Sequence, residues 1–203
     1  ALARLRDVGR TVLVGGTVRD VMLGRDPHAV FDVATVARPD EVMRRFPRVE
    51  PLGLAHGTVL VLTEALQIEC TTFRREGAYP DARHPESVEF TDDLAADLAR
   101  RDLTVNAMAY DPDTRELVDR YGSLDDLAAG VLRAVGDPVA RFHEDALRPV
   151  RLARFAAVLE MTPEPATRAA MADATVRERA RQVAVERVRV EPEKLMAARE
   201  PSI

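Results

Sequence analysis

The first residues that could do chemistry are a glycine pair, Gly15 and Gly16, placed directly after an apolar run that predicts a strand. Glycine lets backbone N–H groups approach an anion closely, and a helix that begins there adds its positive N-terminal end. A second predicted strand, 31–36, carries Asp32, whose carboxylate can bring a cation to the same anion. Together these features predict a site that holds a phosphate group against a metal ion.

A second acid, Glu69, lies in a predicted hairpin of strands 58–62 and 66–72. Alternation puts Glu69 on the face opposite Ile68 and Cys70, the face that is not packed into the core. We place this hairpin beside the strand that ends at the glycine pair, so that Glu69 is able to face the same site as Asp32. The alternative is an exposed acid on a half-buried strand.

A second group of polar residues follows an amphipathic helix predicted over 92–100. Arg101, Asp102 and Asn106 occur together, with a further strand predicted after them. A guanidinium can bind phosphate oxygens, and an Asp–Asn pair can bind ribose hydroxyls. The alternative is an ordinary surface helix with an ion pair.

A third group recurs at three-residue spacing: Asp145, Arg148, Arg151 and Arg154. On the helix predicted over 146–159 this spacing puts them along one face. A carboxylate accepts from the exocyclic amino group of cytosine or adenine, and a guanidinium donates to ring or carbonyl acceptors. One Asp–Arg pair could therefore select C and A together, although a solvated face with ion pairs gives the same spacing.

Composition bounds the class of protein. The 203 residues carry a net charge of −5, and Lys194 is the only lysine among the basic residues, the rest being arginine. The single cysteine, Cys70, excludes an internal disulfide and fits a reducing compartment, so we expect a cytoplasmic protein. No apolar run is long enough to span a membrane. The oligomeric state is not fixed by the sequence.

The pattern of predicted elements changes near residue 137. Before it, strands and helices alternate, and after it every predicted element is a helix, so we predict two domains, 1–137 and 138–203. The polar stretch 73–90, rich in charge and proline, is predicted to be a long loop that is mobile over 74–88.

The motifs carry a family resemblance. G-G-x-V-R-D with L-G and D-V-A-T, then R-R-D-x-T-x-N-A, then E-D-x-x-R, resemble the polymerase-beta-like nucleotidyltransferases. More narrowly they resemble the class II tRNA nucleotidyltransferases, or CCA-adding enzymes, and their bacterial poly(A) polymerase relatives. The motifs arrive in the family's order over about 2–195. The resemblance implies an α+β fold, with a twisted mixed sheet in the head domain and an all-α neck after it.

The resemblance also implies roles and partners. Asp32 and Glu69 would be catalytic and would hold Mg2+, with the 3′ end of tRNA, CTP and ATP as partners. Nucleotide binding would fall to a larger set taken from the three groups: Gly15, Gly16, Arg19, Asp20, Arg101, Asp102, Asn106, Asp145, Arg148, Arg151 and Arg154. A poly(A) polymerase is less favoured, because the arginine-rich stretch of that enzyme before the hairpin is replaced by 53–58.

One departure bears on the chemistry. The family carries two acids spaced D-x-D, and Val30 stands in the place of the first. The sequence therefore leaves two hypotheses open: an active nucleotidyltransferase, or a nucleotide- or RNA-binding relative that has lost catalysis.

Overall fold

The computed structural model describes residues 2–26, 30–77 and 86–198. A seven-stranded sheet forms its centre, in the order β3-β4-β5-β2-β1-β8-β9. Two short pairs, β6 with β7 and β10 with β11, accompany it. The strands are β1 Thr11–Val14, β2 Val30–Thr35, β3 Val49–Gly53, β4 Thr58–Leu62, β5 Gln67–Thr72, β6 Arg74–Glu76, β7 Val88–Phe90, β8 Met108–Asp111, β9 Glu116–Asp119, β10 Val131–Leu132 and β11 Thr162–Pro163.

Helices cover the sheet and form the C-terminal part of the described chain. Two short 3-10 turns occur, Leu54–His56 between β3 and β4 and Thr104–Asn106 between α4 and β8. The helices are α1 Leu2–Arg6, α2 Gly15–Met22, α3 Pro39–Arg45, α4 Leu94–Ala99, α5 Ser123–Ala129, α6 Pro138–Glu144, α7 Arg148–Leu159, α8 Pro165–Ala172, α9 Ala174–Ala180 and α10 Val185–Ala198. The predicted α+β class with a mixed sheet is confirmed, and past residue 137 the described chain is helical except for the two-residue β11.

The centre of the sheet sets the geometry of the site. β2 runs antiparallel to β1 and parallel to β5, and in the parallel pair Asp32 lies opposite Glu69. Our placement of the hairpin directly beside β1 was wrong, because β2 lies between β1 and β5. Asp32 and Glu69 nevertheless face the same side of the sheet, as expected, because register partners on adjacent strands project to the same face.

The largest hydrophobic cluster joins the sheet region to the helical part. It contains Val18 and Leu103 from before residue 137, and Phe142, Leu152 and Phe155 from after it. The two predicted domains therefore share buried apolar surface, and the division at 137 stays a prediction. Among the described helices none is both long and apolar enough to cross a membrane.

The prediction of a loop over 73–90 is wrong at both ends of that stretch. β6 and β7 pair there as an antiparallel ribbon, with Arg74 opposite Phe90. Two of the charges that suggested a solvated loop are paired and largely buried, since Arg74 Nη2 lies 2.6 Å from Glu76 Oε1 and both side chains are shielded from solvent, whereas Arg75 is exposed. Residues 78–85, at the tip, lie outside the described residues, so the predicted mobility stays a prediction.

The predicted helix over 146–159 begins later than expected. α6 ends at Glu144, Asp145 is extended with φ −132° and ψ 110°, and α7 starts at Arg148. Pro149 explains the break, because a proline ring clashes with the carbonyl four residues earlier, which is that of Asp145. The expectation that Asp145 shares a helical face with the three arginines was therefore wrong.

Candidate active site

Asp32 and Glu69 face a cavity of about 1120 Å³ between the sheet and the helical part. Asp32 Oδ2 accepts a hydrogen bond from the Gly16 N–H at 3.0 Å, and its own N–H donates to Thr17 Oγ1 at 2.8 Å. Gly15 has φ +61°, and a Cβ there would meet Asp32 Oδ2 at 3.2 Å. The glycine pair thus lets the start of α2 pack directly against the Asp32 carboxylate.

The two carboxylates repel each other in a partly buried setting. Burial raises the pKa of Glu69, the negative charge of Asp32 raises it further, and the cations of Lys194, Arg101 and Arg74 lower it by less. A pair of acids held together in this way favours a bound cation.

This raised pKa has a consequence for stability. Glu69 binds its proton more tightly folded than unfolded, so its contribution to folding is most favourable below the ordinary pKa of 4.5 and is lost as pH rises through the folded pKa. Without divalent metal, Glu69→Gln should therefore raise the melting temperature at pH 7 to 8. The gain should vanish below pH 4.5, and thermal unfolding followed from pH 4 to 8 in EDTA measures it. A gain that did not change with pH would contradict this electrostatic origin.

A hydrogen-bonded chain of side chains crosses from α2 to α7. Arg19 Nε and Nη2 donate to Asp20 at 2.8 and 3.0 Å, and Arg19 Nη1 donates to Asn106 Oδ1 at 2.6 Å. Asn106 Nδ2 donates to Asp102 Oδ1 at 3.2 Å, and Arg151 Nε and Nη2 donate to Asp102 Oδ2 at 2.9 and 2.8 Å. This chain ties the helix after the glycine pair to the helical wall of the cavity.

Asp102 is the centre of that chain. Burial pushes the pKa of Asp102 upward, but the charge and hydrogen bonds of Arg151, together with Arg148 and Asn106, outweigh it and hold the pKa well below its usual range. Asp102 is therefore a permanent carboxylate, and it is engaged with protein groups.

Arg101 lines the cavity beside the glycine pair. Its Nη2 lies 3.1 Å from Asp97 Oδ2, and its Nη1 would be 3.1 Å from a Cβ at Gly15. Arg101 Nε is buried and has no hydrogen-bond partner in the described part of the chain. A buried donor without a partner costs free energy, so this nitrogen suits an incoming acceptor such as a phosphate oxygen.

Asp145 and Arg148 lie near each other on the wall of the cavity that the helical part forms, across from the sheet. Both carboxylate oxygens of Asp145 accept from Arg187 Nη2, at 3.1 and 3.2 Å. Arg148 is 9% exposed, and it donates to the carbonyl of Arg141 at 2.8 Å, to the carbonyl of Arg100 at 2.9 Å and to Glu144. Most of the N–H groups of Arg148 therefore already donate hydrogen bonds that hold the junction between α6 and α7.

Arg151 and Arg154 continue the wall along α7, as the spacing predicted. Arg154 lies over the ring of Phe155 at 4.0 Å, and its Nε contacts Glu191 Oε2 at 2.5 Å. Arg19 and Arg151 also approach that ring, at 5.3 and 5.4 Å. Phe155 thus packs among three guanidinium groups, an arrangement that cation–π attraction stabilises.

Helix α10 forms a further wall of the cavity, which the sequence did not reveal. Its residues Arg187 and Lys194 line the cavity, and Glu191 between them is buried against Arg154. The signal was present as spacing of four and three residues, which puts all of them on one helical face. Pro192 lies inside α10, and the helix continues past it.

The donor set decides which metal the site could hold. Val30 also lines the cavity, two residues before Asp32 and opposite Gln67. Within the described residues, no cluster of three or more His, Cys, Asp or Glu side chains could bind a metal. Asp32 and Glu69 alone fit one divalent ion of the kind held by one or two carboxylates and completed by phosphate oxygens and water.

The fold and the site together define a class. A mixed sheet with paired acids on two central strands, a helix that starts at a glycine pair, and a helical wall of arginines make up a polymerase-beta-like nucleotidyltransferase head followed by helices. Residues 11–133 match the family described as the Poly A polymerase head domain. The chain belongs to this family.

Similar proteins carry more specific names. The chain is 47% identical to a CCA-adding enzyme of Levilactobacillus brevis over 93% of this chain and 46% of that protein. It superposes with TM-score 0.83 and 37% identity on the CCA-adding enzyme of Bacillus stearothermophilus in complex with CTP, covering 95% of this chain and 46% of that one. A tRNA nucleotidyltransferase complexed with a primer tRNA and an incoming ATP analog gives TM-score 0.74 and 32% identity, over 95% and 54%. The chain spans about half the length of the curated relatives it matches.

Proposed function

We propose that this chain carries the catalytic and base-reading part of a template-independent nucleotidyltransferase that adds C and A from CTP and ATP to the 3′ end of tRNA. The observation that carries the proposal is one cavity, lined by Asp32 and Glu69 from the sheet and by Asp145 and Arg148 from the helical part. One group of residues can thus hold metal and phosphate while the other contacts the base. The names of the relatives, which include complexes with CTP and with primer tRNA, support the same reaction.

Asp32 and Glu69 would hold Mg2+. When bound, the ion would lower the pKa of the attacking 3′ hydroxyl and neutralise charge on the phosphates. The protein's own part is to keep the two carboxylates in register on β2 and β5. The raised pKa of Glu69 supports this role, because a bound cation would offset the repulsion between the two carboxylates.

Gly16, Arg19 and Arg101 would bind the triphosphate. The Gly16 N–H is directed at Asp32 here, and it would become available to a phosphate oxygen when that carboxylate turns to the metal. Arg101 Nε would gain the acceptor that it lacks among the described residues. Arg19 is fixed by Asp20 and Asn106, so its orientation is set before the nucleotide arrives.

Asp145 and Arg148 would read the base. The Asp145 carboxylate can accept from the amino group that cytosine and adenine share, whereas uracil and guanine present a carbonyl there. Arg187, which donates to both oxygens of Asp145, would hold that carboxylate in place. Arg148 would donate to the base with the N–H groups that the carbonyls of Arg141 and Arg100 and the carboxylate of Glu144 leave free.

Substitutions at these residues test the reading of the base. Asp145→Asn should let UTP or GTP compete better, because an amide can present either a donor or an acceptor. Arg148→Ala should weaken the preference for CTP and ATP while affinity for the triphosphate largely survives. Loss of a charged hydrogen bond costs about 1.5–3 kcal/mol, or roughly tenfold to a hundredfold in affinity. Binding of all four nucleotides to each variant measures this.

A matched control separates base reading from helix stability. Asp173→Asn changes a half-buried helix-capping acid in the same way, and Asp173 is not among the residues that line the cavity. It should alter stability without altering nucleotide preference. If Asp145→Asn and Arg148→Ala also left the preference unchanged, the base-reading role would be wrong.

One observation favours a second candidate. Val30 leaves the metal site with two carboxylates, so the chain could bind nucleotide and RNA without catalysis. Incorporation of labelled CTP and ATP into tRNA lacking its 3′ end, with Mg2+ and with EDTA, distinguishes the two. If C and A are both incorporated, and only with Mg2+, the result supports the CCA-adding transferase. Incorporation of A alone, in runs, indicates the sibling poly(A) polymerase. Binding without incorporation supports the second candidate.

We place either protein in the cytoplasm, where a single buried thiol such as Cys70 stays reduced.

A further inference from the structure

Asp97, on α4, is a fully buried carboxylate next to the cavity. Its side chain is 0% exposed, and it is not among the residues that line the cavity, whereas its partners Arg100 and Arg101 both are. Burial of a charged group is costly unless that group is paired and hydrogen-bonded. The contacts of Asp97 therefore show what its charge does in the fold.

Asp97 divides its two oxygens between the two arginines. Oδ1 accepts from Arg100 Nε at 2.9 Å and Nη2 at 2.8 Å, and from the backbone N–H of Arg74 at 3.4 Å. Oδ2 accepts from Arg101 Nη2 at 3.1 Å. One oxygen thus fixes the carboxylate against Arg100 and β6, and the other oxygen holds Arg101.

Arg101 depends on such contacts for its orientation. It follows α4, which ends at Ala99, and an arginine side chain has several rotatable bonds whose ordering opposes binding unless the protein has already ordered them. Its Nη2 contacts Asp97, and its Nη1 donates to the carbonyl of Asn106 at 3.4 Å. The ion pair with Asp97 is the shorter of these two contacts. It holds the guanidinium where Nη1 would be 3.1 Å from a Cβ at Gly15.

We propose that Asp97 is a positioning residue for nucleotide transfer, because its ion pair orients the Arg101 guanidinium toward the glycine pair. The inference rests on the proposed function, in which Gly16 and Arg101 bind the triphosphate. Asp97 then does for Arg101 what Asp20 does for Arg19, since each carboxylate sets the direction of a guanidinium before the nucleotide arrives.

The same end of α4 contacts the base-reading wall through its backbone. Arg148 Nη2 donates to the carbonyl of Arg100 at 2.9 Å, and Arg141 Nη2 donates to the carbonyl of Ala99 at 2.8 Å. These contacts do not use the side chain of Asp97. A substitution of Asp97 that leaves the backbone of α4 in place should therefore weaken the phosphate site and leave base preference unchanged.

The test measures binding of CTP and UTP by calorimetry to variants of the full chain. Asp97→Asn should weaken CTP binding by about tenfold, the effect of one charged contact, and should weaken UTP binding by the same factor. In an Arg101→Ala background, Asp97→Asn should cause no further loss, because its effect passes through the missing guanidinium.

Asp126→Asn is the matched control. Asp126 is also a buried carboxylate with an arginine partner, Arg133, and neither residue lines the cavity. This variant should lower the melting temperature and leave CTP affinity unchanged.

A second variant serves if Asp97→Asn does not fold. Arg101→Lys keeps the positive charge and leaves Asp97 in place, but one ammonium group cannot pair with Asp97 and reach a phosphate as the arginine fork does. Its CTP affinity should therefore fall nearly as far as that of Arg101→Ala. CTP affinity close to that of the wild type in Arg101→Lys would show that the anchored fork is not needed, and the inference would be wrong.

Three further results would overturn the inference. Wild-type CTP affinity in folded Asp97→Asn would remove Asp97 from the site. A full additional loss in the double variant would show that Asp97 does not act through Arg101. A changed preference between CTP and UTP in Asp97→Asn would show that Asp97 supports both walls of the cavity rather than one arginine.

Failure of the proposed function looks different from these results. The wild-type protein would then bind CTP no more tightly than UTP, or Arg101→Ala would bind CTP as tightly as the wild type. Neither observation involves a substitution of Asp97.

Discussion

Replacing Asp32 with asparagine should reduce incorporation of CTP by about a hundredfold to a thousandfold. Asparagine keeps an oxygen that can accept from the Gly16 N–H, so the start of α2 should stay in place. It removes the charge through which Asp32 would hold a divalent cation together with Glu69. Stabilisation of the transition state by a bound metal amounts to several kcal/mol, and each 1.4 kcal/mol is a factor of ten in rate.

The loss in Asp32→Asn should have a second signature. Because the charge of Asp32 helps to raise the pKa of Glu69, removing it should lower that pKa toward its ordinary value. Steady-state incorporation and a titration of Glu69 by NMR measure the two effects on one variant. Incorporation within threefold of wild type, with an unchanged melting temperature, would remove Asp32 from the metal site.

Replacing Val30 with aspartate should strengthen Mg2+ binding by roughly tenfold to a hundredfold, the usual contribution of one charged contact. Val30 lies two residues before Asp32 on β2, so its side chain shares the face of the two acids. A third carboxylate there adds a ligand, and in the absence of metal it adds repulsion. Val30→Asp should therefore melt lower than wild type in EDTA and recover in Mg2+.

Val30→Asn is the matched control, with similar size and polarity but no charge. It should show neither the loss of stability in EDTA nor the recovery in Mg2+. Titration of Mg2+ followed by calorimetry, and incorporation at limiting Mg2+, give the two readouts. If Val30→Asp bound Mg2+ no better than Val30→Asn, residue 30 would not face the cation.

The face of the sheet that carries Asp32 and Glu69 could be predicted, because side chains alternate between the two faces of a strand. Asp32 and Glu69 each occur in a run whose apolar neighbours must enter the core, which leaves the acids on the other face. The sequence could not show that β2 and β5 are adjacent and parallel with Asp32 opposite Glu69. That register depends on how α3, β3 and β4 return the chain, and β3 has too little apolar pattern to be recognised.

The helical wall shows where spacing misleads. Three-residue spacing predicted that Asp145 shares one helical face with the three arginines, but the ring of Pro149 conflicts with the Asp145 carbonyl and α7 begins only at Arg148. The extended backbone of Asp145 then lets its carboxylate meet Arg187 on α10. Contacts of this kind, between residues far apart in the chain, leave no local signal.

Binding of the four nucleotides to wild-type protein, with Mg2+ and with EDTA, tests the central claim most directly. The claim is that one cavity combines a metal site at Asp32 and Glu69 with a base-reading site at Asp145 and Arg148. It can be measured by calorimetry even if Val30 makes catalysis slow. We expect CTP and ATP to bind at least about tenfold more tightly than UTP and GTP, and to weaken in EDTA. Equal affinity for all four nucleotides, or affinity that EDTA leaves unchanged, would contradict it.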